Sequence, residues 1–244
     1  RHAFVANGAQ GMWVSPLTAG GGTGNYRTWA DEQTVLDGMG VAVLGDHVWY
    51  GNGGSGLIGV DVSQPAMPRM VRILSESGWI TAVAAADGFV AMTAQTGGVA
   101  AYDSATNPSA PTRIGGVDAP EEASGLALAG GRAYVGAGDE GLAVFAVSRS
   151  AVTHLGGIKL PGWCAGVAVA DGHAFVAAGT AGLHVVDVGD PRRPRLVTTL
   201  DTPGMAMDVA VDAGLAVVAD GARGLRTVDV SDPARPRDLG FYPV

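Results

Sequence analysis

The stretch GLHVVDVGDPRRPRLV, Gly182 to Val197, returns 42 residues later as GLRTVDVSDPARPRDL, Gly224 to Leu239. A chain that repeats itself this closely is built from one structural unit copied along its length. Working outward, the same opening pair of a glycine and an apolar residue recurs at Gly11-Met12, Gly56-Leu57, Gly98-Val99, Gly141-Leu142, Gly182-Leu183 and Gly224-Leu225. The intervals of 45, 42, 43, 41 and 42 residues indicate a propeller or a solenoid.

The content of each copy decides between the two. In the fifth, GVAVADG (166–172), HAFVAAG (173–179), LHVVDV (183–188) and PRLVTTL (194–200) are short runs rich in Val and Ala, bounded by Gly, Asp or Pro. That is the strand signature, and no 3.6-residue apolar period persists over ten or more residues. Four short strands per copy predict an all-β, six-bladed β-propeller of four-stranded repeats. The blades fall at about 1–38, 39–77, 78–118, 119–159, 160–201 and 202–244 of a single domain. HAFVANGAQGMWV (2–14) matches only second and third strands, so blade 1 is expected to lack its innermost strand. The Gly-rich insertion TAGGGTGNYRTWADE (18–32) has no P-loop lysine and is expected to be a flexible loop.

DVSQPAMP (61–68), DVGDPRRP (187–194) and DVSDPARP (229–236) follow the third strands. Proline has no N–H and a fixed φ, so these segments must leave the ladder. The leading aspartate is expected to tie each turn by accepting backbone N–H groups, a structural task rather than catalysis. The fourth copy has Ala146 in that place and no prolines, so its turn must be held differently.

LIGVDV (57–62), LHVVDV (183–188) and LRTVDV (225–230), each followed by two prolines, resemble the LVIVD repeat of bacterial and archaeal exported and cell-surface proteins. The resemblance runs from about Gly40 to Val244. It implies a β-propeller and an extracellular, periplasmic or cell-surface location, and it brings no assigned activity or catalytic motif.

Composition narrows the function. Gly supplies 39 of 244 residues, and charged residues make up only 16% against the usual share of roughly 25%. The formal net charge of −8, with Lys159 the single lysine, disfavours a nucleic-acid partner. No apolar run is long enough for a membrane-spanning helix, and no signal peptide is visible from Arg1. Cys164 is the only cysteine; it reads as a small buried apolar residue, with nucleophile or ligand as the alternatives.

In a propeller, loops between blades and between second and third strands share the channel face. Trp79 and Trp163 hold equivalent positions there, with Met205 in the sixth copy, and Glu121, Glu122, Asp139, Glu140 and Asp208 make the face acidic. These residues are expected to bind a small molecule or a protein without catalysis. The alternative is a hydrolase, lyase or isomerase using Glu121, Glu122 and Asp208 as acid/base groups between walls of Trp79 and Trp163. Ser124 and Asp208 have no histidine on their face to complete a triad. His47, His154, His173 and His184 read as surface or packing residues. No metal-binding motif appears, although the carboxylates leave a calcium ion as one possible cofactor. A purely structural surface domain is the third reading.

Overall fold

The computed structural model describes residues 2–6, 12–17, 27–29, 38–76, 78–95, 98–120 and 122–243. Among the described residues every long element is a strand, and the two helical pieces are single 3₁₀ turns at Gly53–Ser55 and Gly221–Arg223. The chain divides into two compact units, Arg1–Gly116 and Val117–Val244.

The first unit carries three antiparallel sheets. Sheet 1 has three strands, His2–Ala6, Met12–Pro16 and Arg27–Trp29, in that order. It has no innermost strand among the described residues, as the sequence predicts. Arg27–Trp29 lies inside the stretch expected to be loop and instead supplies the outer strand, paired through Met12↔Trp29 and Val14↔Arg27; the rest of that stretch lies outside the described residues. Sheet 2 comprises Gly38–Leu44, His47–Asn52, Leu57–Asp61 and Arg69–Leu74, and sheet 3 Ile80–Ala86, Phe89–Ala94, Gly98–Asp103 and Thr112–Val117.

The second unit repeats the pattern. Sheet 4 is Ala123–Ala129, Arg132–Ala137, Leu142–Val147 and Val152–Ile158; sheet 5 is Val167–Ala170, His173–Ala177, Leu183–Asp187 and Arg195–Leu200; sheet 6 is Asp208–Asp212, Leu215–Ala219, Leu225–Asp229 and Arg237–Tyr242. Each is a simple meander. First and second strands join through two-residue turns such as Asp87-Gly88 and Asp171-Gly172, with both residues at positive φ. This turn matches strand twist and favours an Asp-Gly pair.

Within each unit the cores lie between consecutive sheets, because each strand alternates its side chains between its two faces. Tyr134, Leu142 and Val144 of sheet 4 meet Val167, Ala174, Val176 and Val186 of sheet 5. Phe175, Ala177, Leu183 and Val185 of sheet 5 meet Val209, Ala216, Val218 and Val228 of sheet 6. In the first unit Trp49 and Leu57 of sheet 2 face Ile80, Val90 and Met92 of sheet 3, and Met12 and Val14 of sheet 1 face Tyr50 and Ile58.

The turn aspartates act as expected. Asp61, Asp103, Asp187 and Asp229 each accept, through Oδ1, the N–H two residues ahead at 2.9–3.0 Å. In sheet 4, where the aspartate is missing, Ser148 takes over: its Oγ accepts the Ala151 N–H at 3.2 Å. At Asp229 the Ser231 hydroxyl and N–H, with Arg237 beside them, pull the carboxyl down to about 2.

Candidate binding rim

The rim of the second unit is built from glycines. In Pro161-Gly162-Trp163, Gly162 adopts a φ of +76°, and a Cβ there would lie 2.4 Å from the Ala178 carbonyl. In Pro203-Gly204-Met205, a Cβ on Gly204 would lie 2.2 Å from the Asp220 carbonyl. Both glycines let the entering loop pass directly beneath the second-to-third-strand loop of its own sheet. Just beyond them, Cys164 and Gly138 exchange two N–H···O bonds of 3.1 Å, and Ala206 and Gly179 exchange bonds of 2.9 and 3.0 Å. The loops are thereby clasped from sheet 4 to 5 and from sheet 5 to 6.

With the backbone fixed, the large side chains next to each clasp residue project outward. Trp163 is 45% exposed, Met205 52% and Met207 56%. Trp163 and Met205 are near neighbours, since Gly179 packs beside the Trp163 backbone and pairs with Ala206. Trp79 is also exposed, its carbonyl accepting the Gln95 N–H at 2.9 Å, and it belongs to the first unit.

Asp208 stands where the other copies have Gly40, Ala82, Gly125 and Gly166. Those residues are small because the following sheet comes close: a Cβ on Gly125 would lie 1.9 Å from the Ala165 carbonyl, and one on Gly166 would lie 2.5 Å from the Asp208 Cα. Asp208 itself is exposed as a residue, yet its carboxyl is crowded against Gly166. Burial raises its pKa, and the Val209 N–H it accepts at 2.9 Å opposes this only in part. A raised carboxyl pKa means that ionisation favours the unfolded chain, so stability falls as pH climbs through the carboxylate range. Asp208→Asn should therefore raise Tm slightly at pH 7. The gain should close as the pH drops toward 4, as thermal unfolding at several pH values would reveal.

The other expected residues of the second unit make contacts of their own. Glu121 lies outside the described residues. Glu122 packs beside Gly138 and accepts the Asp139 N–H at 3.4 Å. Ser124 donates its hydroxyl to the Ala165 carbonyl at 3.5 Å. Among the described residues no group of three His, Cys, Asp or Glu could hold a metal ion. Cys164 is fully buried, and burial followed by the Asp139 charge pushes its thiol up to about 11. It is a protonated packing residue at neutral pH.

Four of the histidines make local contacts. His47 Nε2 bonds Ser109 Oγ at 2.8 Å, and His154 stands edge-on to Phe145 at 5.2 Å. His173 bonds the Asp171 carbonyl, and buried His184 lies between Thr199 Oγ1 and the Pro161 carbonyl, at 2.8 Å from each.

Two features escape a reading by motif. Met207 is as exposed as Met205. Beneath the rim, buried Arg226 donates from Nε to Asp220 Oδ2 at 3.4 Å and from Nη1 to Asp238, while Asp220 Oδ2 also accepts the Gly204 N–H at 3.1 Å. The sequence signal was an arginine at a third-strand position occupied by Ile58, Ala100 and Ala143 in other copies.

The fold has many solved counterparts. A functionally unknown protein from Desulfotomaculum acetoxidans matches with a TM-score of 0.81 at 14% identity, over 98% of this chain and 79% of that one. The WD40 repeats of RRP9 match at 0.80 and 11%, over 100% and 77%. The periplasmic gluconolactonase PpgL of Pseudomonas aeruginosa matches at 0.76 and 14%, over 98% and 81%. At such identities the likeness establishes the all-β propeller fold and nothing of activity. No curated protein sequence matches. The LVIVD repeat model matches residues 37–75, 121–156, 161–202 and 203–242, including the fourth copy with its altered turn. With most of its length and four of its sheets so matched, the chain belongs to the LVIVD repeat family of β-propellers.

Proposed function

We propose that this chain is a non-catalytic binding module of an exported protein, presenting Trp163, Met205, Met207 and Asp208 to a partner protein or small molecule. One observation carries the reading: three large apolar side chains are held in water by loops whose backbones are locked by glycine contacts and paired bonds. Large clustered apolar groups on a surface favour binding. A rigid frame lowers the ordering cost of association. Asp208 adds one charge of tunable strength beside them. The compartment rests on the resemblance to exported repeat proteins.

Among the described residues the catalytic alternative draws on the raised carboxyl of Asp208. Acid/base chemistry needs a second polar group converging on the same point, whereas Glu122 is engaged with the Asp139 N–H.

A random peptide library displayed on phage and selected on the wild-type protein tests this. Clones should lose at least about tenfold in affinity on Trp163→Ala/Met205→Ala/Met207→Ala, as expected when central apolar anchors are truncated. Clones that bind both proteins equally would place binding elsewhere.

A further inference from the structure

Two thioethers stand side by side on the rim of sheet 6. Met205, Ala206 and Met207 run extended: Ala206 exchanges both of its backbone bonds with Gly179, and the Met207 N–H turns the other way, to the Ala219 carbonyl at 2.8 Å. In an extended segment residues i and i+2 face the same side. Ala206 is accordingly fully buried, while the methionines on either side of it are in water. Neither methionine belongs to the apolar cores of the second unit. The corresponding pairs of positions in sheets 3, 4 and 5 contain no sulfur, and that of sheet 2 has a single methionine, Met39.

Trp163 borders the same spot. A Cβ on Gly179 would lie 3.6 Å from the Trp163 Cβ, and Gly179 is the residue that pairs with Ala206 between the two methionines. Asp208, next in the chain after Met207, adds a negative charge.

We propose that Met205 and Met207 bind Cu(I) through their thioether sulfurs, with the indole face of Trp163 against the ion. A thioether is neutral and polarizable, so it holds a soft monovalent ion in preference to the hard cations that carboxylates and carbonyls take. An aromatic face attracts a cation that has lost part of its water. Asp208 offsets the charge that two neutral ligands leave uncompensated. The inference rests on the rim reading above and names one ligand for it.

Titration calorimetry of the whole chain with silver nitrate in chloride-free buffer tests the site, because Ag(I) shares the charge and softness of Cu(I) and keeps its oxidation state in air. Wild type should take up one Ag(I) and shift its tryptophan emission as it does so. Met205→Leu/Met207→Leu keeps the apolar bulk and removes both sulfurs. Its Ag(I) affinity should fall at least about tenfold, while phage-selected peptides still bind. Cys164→Ala, which copies Ala206 of the next sheet, should bind Ag(I) as wild type does, and circular dichroism checks that each variant is folded. A thioether carries no proton, so the affinity should hold between about pH 6 and about pH 8, where a histidine ligand would titrate. No uptake by wild type, full uptake by the leucine variant, or loss in Cys164→Ala would each overturn the metal site. Peptides that bind wild type without any Ag(I) uptake would leave the rim reading standing, and Ag(I) uptake with no peptide clone would do the reverse.

Discussion

Gly125→Ala should destabilise the second unit by about 3 kcal/mol, at the upper end of the usual cost of forcing extra atoms into a packed interior. The added Cβ would sit 1.9 Å from the Ala165 carbonyl and 2.9 Å from its carbon, and neither can swing away as a side chain would. Relief requires sheets 4 and 5 to separate, which pulls on the clasp between Gly138 and Cys164. For a unit of this size the loss corresponds to a Tm drop of roughly 10 °C. Differential scanning calorimetry reads it directly. A drop smaller than about 3 °C would mean that the sheets yield far more easily than their contacts imply.

Arg226→Ala should cost about 3–5 kcal/mol, the range for removing one partner of a buried ion pair. Asp220 is fully buried, its Oδ1 has no hydrogen-bond partner among the described residues, and its Oδ2 would keep only the Gly204 N–H. The stranded carboxylate, more than the lost attraction, sets the size of the effect. Sheet 4 shows the apolar solution, with Ala137 and Ala143 at the corresponding positions. The double variant Asp220→Ala/Arg226→Ala should therefore be more stable than Arg226→Ala alone, a coupling of about 1–3 kcal/mol measurable in a double-mutant cycle by urea unfolding. Strict additivity would show that the two side chains do not depend on each other.

The architecture was legible because propeller sheets are written locally. Asp-Gly turns, alternating Val and Ala, and the Asp and Pro residues after the third strands of sheets 2, 3, 5 and 6 all act within one copy, so periodicity carried them into the sequence. Sheet 1 could be counted at three strands only partly, since Arg27–Trp29 lies in a Gly-rich stretch where propensity points to loop and pairing with Met12–Pro16 prevails. The role of Ser148 was invisible because a hydroxyl can hold a turn without the aspartate pattern.

The site was legible by column rather than by motif. Trp163 and Met205 align on the rim, and Asp208 stands out in a column of Gly and Ala. What spacing could not show was convergence. Glu122 and Asp208 share a rim by topology, yet their carboxyl groups are engaged by different N–H groups, those of Asp139 and Val209. The Arg226 network was missed because a charge inside a strand pattern reads as a solvated position until its partners Asp220 and Asp238 are placed beside it.

The measurement that bears most directly on the binding rim is a crystal structure of the protein soaked with a mixed set of small aromatic, aliphatic and cationic fragments. Density should stack on the Trp163 indole and contact Met205 or Met207, with cationic members reaching Asp208. Fragments that collect elsewhere on the second unit and leave those four side chains bare would contradict it.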